Sequence, residues 1–185
     1  MNELYDKVEE FVRQSFTKDG KLTTRGIHSL RTKEWLLKID PQASEILQIA
    51  SVAHDIDSAH IEYSGYGSFR DPEYLELHQT EAAKTVSEFL IKAGTNEAIV
   101  AKVSHLVSSH EVGGDEEQNL IMDADSLSFF DRDMLEFLNR HIITGADKET
   151  VRDKINWMYN RITSEKAKRL AKPMYEDAIK LLENL

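Results

Sequence analysis

Gln48-Ile49-Ala50-Ser51-Val52-Ala53-His54-Asp55-Ile56-Asp57 is a nearly all-apolar run that closes by setting an imidazole beside a carboxylate. Over residues 46–56 the apolar positions do not keep to one stripe, so a helix there is buried on most of its faces. That burial carries His54 and Asp55 inward. An unpartnered neutral imidazole in a core costs roughly a few kcal/mol, and an unpartnered ionised carboxylate far more. Both groups therefore need partners. A bound cation is the simplest one, because neutral His and ionised Asp are good ligands in their ordinary states.

Working outward from this run, the chain reads as helices punctuated by short breaks. Leu4, Val8, Phe11 and Val12 recur at helical spacing and make residues 2–16 an amphipathic packing helix that stops before Lys18-Asp19-Gly20. Thr23 or Thr24 caps a second helix through residue 39, with Ile27, Leu30, Trp35, Leu36 and Leu37 at its apolar positions and His28 among them. Asp40-Pro41 ends it and starts the buried helix. After Ile56, glycine, serine and proline mark a loop that ends at Asp71-Pro72 and is long enough to be read as either a lid or a surface excursion. Its Tyr63 and Tyr66 are placed to stack on a base or to anchor the loop.

Asp71 and Pro72 open a long helix carrying His78, which Gly94 stops. Thr95 caps the next, over residues 97–109. His105 and His110 fall near its end, about 140° apart on a regular helix, so both cannot point into one site while the helix stays regular. Gly113-Gly114 breaks the chain before Leu120-Ile121-Met122-Asp123-Ala124-Asp125-Ser126-Leu127, an apolar helix holding two aspartates. Helices over residues 148–162 and 164–184 read as scaffold. Strand alternation and repeats are lacking, so the fold class is all-α, a single-domain helical bundle.

With 185 residues and 41% of them hydrophobic, the chain suits one domain with an ordinary core. It has no cysteine, which excludes disulfides, thiolate metal sites and cysteine nucleophiles. Any metal centre must use His and carboxylate. The formal net charge of −10 argues against a nucleic-acid polymer or an anionic membrane as partner, while leaving a small anionic substrate open, since a divalent cation reverses the local field. No apolar run reaches the roughly 20 residues of a membrane span, and the first residues lack a signal-peptide pattern, so the expected location is cytoplasmic. Oligomeric state leaves no mark in the sequence.

The inward polar residues run in order as His28, His54-Asp55, His78, His110 and Asp125. This series resembles the HD-domain metal-dependent phosphohydrolase superfamily, whose pattern is a histidine, a His-Asp doublet and a distant aspartate on separate helices of an all-α fold. Ile27-His28-Ser29-Leu30-Arg31 looks like the His-x-x-Arg signature of a small stand-alone branch, and Asp123-Ala124-Asp125-Ser126-Leu127 like the Asp-Ala-Asp-Arg-Leu segment whose second aspartate carries the metal. The resemblance covers residues 20–180. It implies an HD-type helical bundle with His28, His54, Asp55 and Asp125 as metal ligands and Asp123 in a supporting position.

His78 and His110 stand where some members ligate a second ion and others act on substrate or solvent, so with Asp55 they are the candidate catalytic residues. His105 competes with His110 for that place. The cofactor implied is one or two divalent transition ions, Mn²⁺, Fe²⁺, Co²⁺, Ni²⁺ or Zn²⁺, with Mg²⁺ a poorer match to imidazole. The expected reaction is attack of metal-activated water on the phosphorus of a nucleotide or related small phosphate ester. The alternative is a degenerate member that binds metal and a phosphorylated ligand without efficient turnover.

Two departures bear on that choice. Where many members follow the doublet with Ile-Gly-Lys, this chain has Ile56-Asp57-Ser58, and Ser126 stands where Arg or Lys is common. Either the small branch manages without that lysine, or Arg31, the candidate substrate-binding residue, and a lysine from elsewhere supply the positive charge, or the protein turns over slowly. His60 and His141 match no role and read as surface or packing residues.

Overall fold

The computed structural model describes residues 3–63, 69–145 and 147–184, with the side chains of residues 140–144 excepted. The helices are α1 Glu3–Ser15, α2 Thr24–Ile39, α3 Glu45–Ala53, α4 Pro72–Lys92, α5 Glu97–Val107, α6 Glu116–Ser128, α7 Met134–Thr144, α8 Lys148–Asn160 and α9 Glu165–Glu183. A 3-10 turn, Ile56–Ala59, follows α3, and a π-helical stretch, Phe129–Asp133, joins α6 to α7. The fold is all-α, as its periodicity predicts.

The strand content of the described residues is one small antiparallel ribbon, β1 Thr17–Lys18 with β2 Lys21–Leu22, its register pairing Thr17 with Leu22. Asp19 and Gly20 turn it with φ of 51° and 74°. The second of these is a conformation glycine adopts without penalty. The ribbon packs on α2 where that helix has no side chain. A Cβ on Gly26 would meet Leu22 Cδ1 at 2.6 Å and Phe16 Cβ at 2.7 Å, so only glycine admits the contact.

Helix α3 is the hub, touching α1, α2, α5 and α6. Ile49, Ala50, Val52 and Ala53 are fully buried in a core that also takes Val8, Leu36, Val86, Leu90, Val103, Leu106, Ile121 and Leu127. A second cluster gathers Phe129, Phe130, Met134, Leu138, Val151, Ile155 and Met158 with Ala178 and Leu182 of α9. These two clusters flank the site.

Several boundaries depart from the sequence expectation for local reasons. Asp40 closes α2 and the chain then turns, so α3 begins at Glu45 under a Ser44 cap that accepts from Leu47 N–H, not at Pro41. The cap of α5 is Asn96, whose carbonyl accepts from Ala98 N–H, one residue after Thr95. Helix α6 starts earlier than its apolar run, at a capping box between Asp115 and Gln118. Helix α3 also stops short. It ends at Ala53, so His54 and Asp55 sit on its C-terminal edge rather than within it.

Candidate metal centre

The end of α3 puts His54 and Asp55 at the meeting point of α2, α4 and α6. His54 is fully buried, and its Nδ1 donates to the Ser51 carbonyl at 2.9 Å, which leaves Nε2 facing inward. His110 is fully buried in the same way, donating Nδ1–H to the Val107 carbonyl at 2.9 Å. A carbonyl only accepts, so both rings carry their proton at Nδ1 and point a lone pair into the site. His110 reaches the site because α5 ends at Val107 and the chain turns, escaping the 140° constraint of a regular helix. His105 stays outside, exposed and bonded to Asp115 at 2.8 Å.

The other two imidazoles are backed by carboxylates. His28 Nδ1 lies 2.6 Å from Asp133 Oδ2, and His78 Nδ1 lies 2.6 Å from the fully buried Asp57. Tyr63 donates its hydroxyl to the same Asp57 carboxylate, and the rings of Tyr63 and Tyr74 pack against His78. Partners of this kind fix ring orientation and make the inner nitrogen a stronger ligand. Asp57 thus stands, where the resembled pattern has glycine, as the support of His78, and the place of the missing lysine is taken by Ser58.

The four inward nitrogens and two carboxylates form two groups that share Asp55. In the first, His28 Nε2 is 3.3 Å from His54 Nε2, 3.0 Å from Asp125 Oδ1 and 3.9 Å from Asp55 Oδ2, and His54 Nε2 is 3.6 Å from Asp125 Oδ1. In the second, Asp55 Oδ1 is 3.1 Å from His78 Nε2 and 3.3 Å from His110 Nε2, and those two nitrogens are 3.2 Å apart. Ligands held about 2.1 Å from an ion lie about 3.0 Å apart at octahedral edges and about 3.4 Å apart at tetrahedral ones. The donor set therefore fits a divalent ion in each group. With these buried imidazoles and carboxylates converging, the centre as a whole needs a cation or bound protons.

Charge confirms the demand. Burial opposes ionisation of Asp55, but His54, His110 and His78 outweigh it and hold the carboxyl well below its ordinary range. Burial likewise opposes ionisation of Asp125, and Arg161, His28 and His54 outweigh it. Burial disfavours the imidazolium of His28 and of His78, yet Asp133 and Asp125 raise the first well above its usual pKa, and Asp55 and Asp57 the second. Without a metal, protons take the place of the ion.

A cavity of about 440 Å³ opens over this centre. His28, Asp55, His78, Glu111 and Asp125 line its polar part, and Phe69, Phe129, Phe137 and Met158 an apolar part. Arg161, just past α8, bonds Asp125 and Glu111 together and donates Nε–H to Ser126 Oγ at 2.8 Å. The small side chain at position 126 thus receives an arginine from elsewhere. Lys154 of α8 also lines the cavity, and burial pushes its ammonium down to about 8 against the pull of Glu111.

Every residue of the expected constellation except Arg31 lies at this centre. Arg31 is not among the cavity-lining residues; its guanidinium pairs with Asp131 and Glu34 and lies over Trp35. Asp123, fully buried, accepts from Thr163 N–H and Ser164 N–H at 2.7 and 2.9 Å and so anchors the start of α9. Tyr66 and the His141 side chain lie outside the described residues. Sequence reasoning missed Asp57, Asp133, Glu111, Lys154 and Arg161. Asp57, two residues after the doublet, carried a readable signal: a charge continuing a buried run.

An all-α bundle with a buried imidazole-carboxylate centre that fits an HD motif defines the class: a protein of HD-type fold. The solved structure of a predicted HD superfamily hydrolase from an uncultured Thermotogales bacterium superposes with a TM-score of 0.63 at 19% identity, covering 97% of this chain and 89% of that one. The chain belongs to the family described as "Domain of unknown function (DUF4202)", whose model matches residues 6–182. No curated protein matches it. Among the described residues no helix is long and apolar enough to cross a membrane.

Proposed function

We propose that this protein is a metal-dependent phosphohydrolase that cleaves a nucleotide or a related small phosphate ester by attack of water on phosphorus. The observation that supports this most is the sharing of Asp55 between two imidazole-carboxylate groups at a cavity of about 440 Å³. In this reading His28, His54, Asp55 and Asp125 hold one divalent transition ion, and Asp55, His78 and His110 hold a second. Bound there, such ions supply Lewis acidity, acidify water and neutralise charge on a phosphoryl group. Mg²⁺ suits these nitrogen donors less well.

The remaining work falls to the chain itself. Ser51, Val107, Asp57 and Asp133 keep four imidazoles oriented before substrate arrives, so little reorganisation is needed. Hydrolysis joins the water oxygen to phosphorus and breaks the ester P–O bond, whose electrons leave with the departing oxygen. That oxygen needs a proton. His78, which lines the cavity with its Nε2 3.1 Å from Asp55 Oδ1, is the group able to deliver it when only one ion is held, while His110, fully buried with its proton on the Val107 carbonyl, is not.

The test is to load purified protein with Mn²⁺ or Co²⁺ and screen nucleotides and simple phosphomonoesters for release of phosphate or pyrophosphate. Metal-dependent turnover that disappears in Asp55→Ala supports the reading. Stoichiometric metal binding with no turnover across the panel refutes it in favour of a binding protein.

A further inference from the structure

We propose that Lys154 is the phosphate anchor of this site, a lysine supplied by α8 that donates to phosphoryl oxygens from the cavity wall. The inference rests on the phosphohydrolase reading for its ligand. Position 58, where a lysine is common, is occupied by Ser58, which lines the cavity but carries no charge and spends its hydroxyl on the Asp55 carbonyl at 2.8 Å. A dianionic phosphoryl group arriving beside ionised Asp55 and Asp125 needs positive charge from another element.

The other cations near the cavity are engaged. Arg161 is bound to Asp125 and Glu111, Arg31 to Asp131 and Glu34, and Arg25 donates to the Ser58 carbonyl at 3.1 Å. Lys154 differs. Among the described residues its ammonium has no hydrogen bond and no ion pair, although it is half-buried and lines the same cavity as His28, Asp55 and Asp125. Aromatic faces hold it instead, with Nζ 4.3 Å from the Trp157 ring centre, 4.8 Å from Phe69 and 5.8 Å from Phe129. Such faces attract a cation without occupying its three donors. The result is a positioned ammonium with its hydrogen-bonding capacity unspent.

The competing account is a lysine whose stem packs on aromatic rings while its head reaches water. That account makes Lys154→Met neutral. The experiment titrates orthophosphate into Mn²⁺-loaded wild type, Lys154→Met, Lys154→Arg and, as a surface control on the same helix, Lys148→Met, and measures KM and kcat for p-nitrophenyl phosphate. Loss of a charge-assisted hydrogen bond predicts a weakening of about 10- to 100-fold in phosphate affinity and a matching rise in KM for Lys154→Met. Arginine restores most of it, and metal affinity and the Lys148→Met control stay at the wild-type level. Unchanged phosphate affinity in Lys154→Met, or no phosphate binding by the metal-loaded wild type, overturns the proposal. If the wild type binds phosphate through Lys154 yet hydrolyses nothing, the anchor stands and the hydrolase reading falls.

Discussion

Replacing Asp57 by asparagine separates the two halves of the centre. Asp57 Oδ2 lies 2.6 Å from Nδ1 of His78, both side chains are buried, and neither touches His28 or His54. The substitution keeps volume and an acceptor but removes the charge that orients the ring and makes its inner nitrogen electron-rich. Charge-assisted bonds are worth roughly twice neutral ones. Losing that margin, with the rotational freedom His78 regains, costs about 1.4–2.7 kcal/mol, or about 10- to 100-fold in affinity for an ion held through His78. The ion held by His28, His54 and Asp125 keeps its affinity. Asp133→Asn, which removes the carboxylate 2.6 Å from His28 Nδ1, has the reciprocal effect. Calorimetric Mn²⁺ titrations of the two variants, with circular dichroism to establish that both fold, read the pattern directly. Equal losses at both sites in each variant, or no loss in either, refute the division of the centre at Asp55.

Two further outcomes follow from the charges. In the metal-free protein His28 and His78 have raised pKa values, so their contribution to stability is complete below about pH 6.5 and is lost as pH rises through the raised values. Asp55 and Asp125, with lowered values, contribute above about pH 4 and lose it as pH falls through their depressed range. Metal must displace the imidazole protons, so the rise in Tm on adding Mn²⁺ grows as pH rises above about 6.5 toward the raised values; thermal melts with and without chelator check this, and a pH-independent gain contradicts it. Arg161→Met leaves Asp125 and Glu111 facing each other without their shared cation, at a cost of about 3–5 kcal/mol in urea unfolding of the metal-free protein. Added metal recovers part of that loss; a variant as stable as wild type shows that desolvating Arg161 cancels its pairing.

What could be read in the sequence and what could not divides along a physical line. His28, His54, His78 and Asp125 are polar residues inside apolar helical patterns, so periodicity alone marks them as buried groups in need of partners. The groups that orient and neutralise them come from segments that read as turns or surface. Asp131 and Asp133 both reach α2, one at Arg31 and Trp35 and the other at His28, although residues two apart lie about 200° apart on a regular helix. The π-helical stretch they share breaks the period on which sequence reading depends, and such stretches gather at functional sites. Arg161 and Lys154 are less legible still, because a lysine or arginine on an amphipathic helix looks the same whether it faces water or a cavity. Positions 57 and 58 join the two classes. Where the resembled pattern has glycine and then lysine, Asp57 secures His78, and the uncharged Ser58, bonded to the Asp55 carbonyl in the cavity wall, leaves the phosphate to another element. Asp57 and the cation on α8 are therefore complementary: the aspartate orients the second half of the centre, and the lysine brings to the cavity the charge that Ser58 lacks.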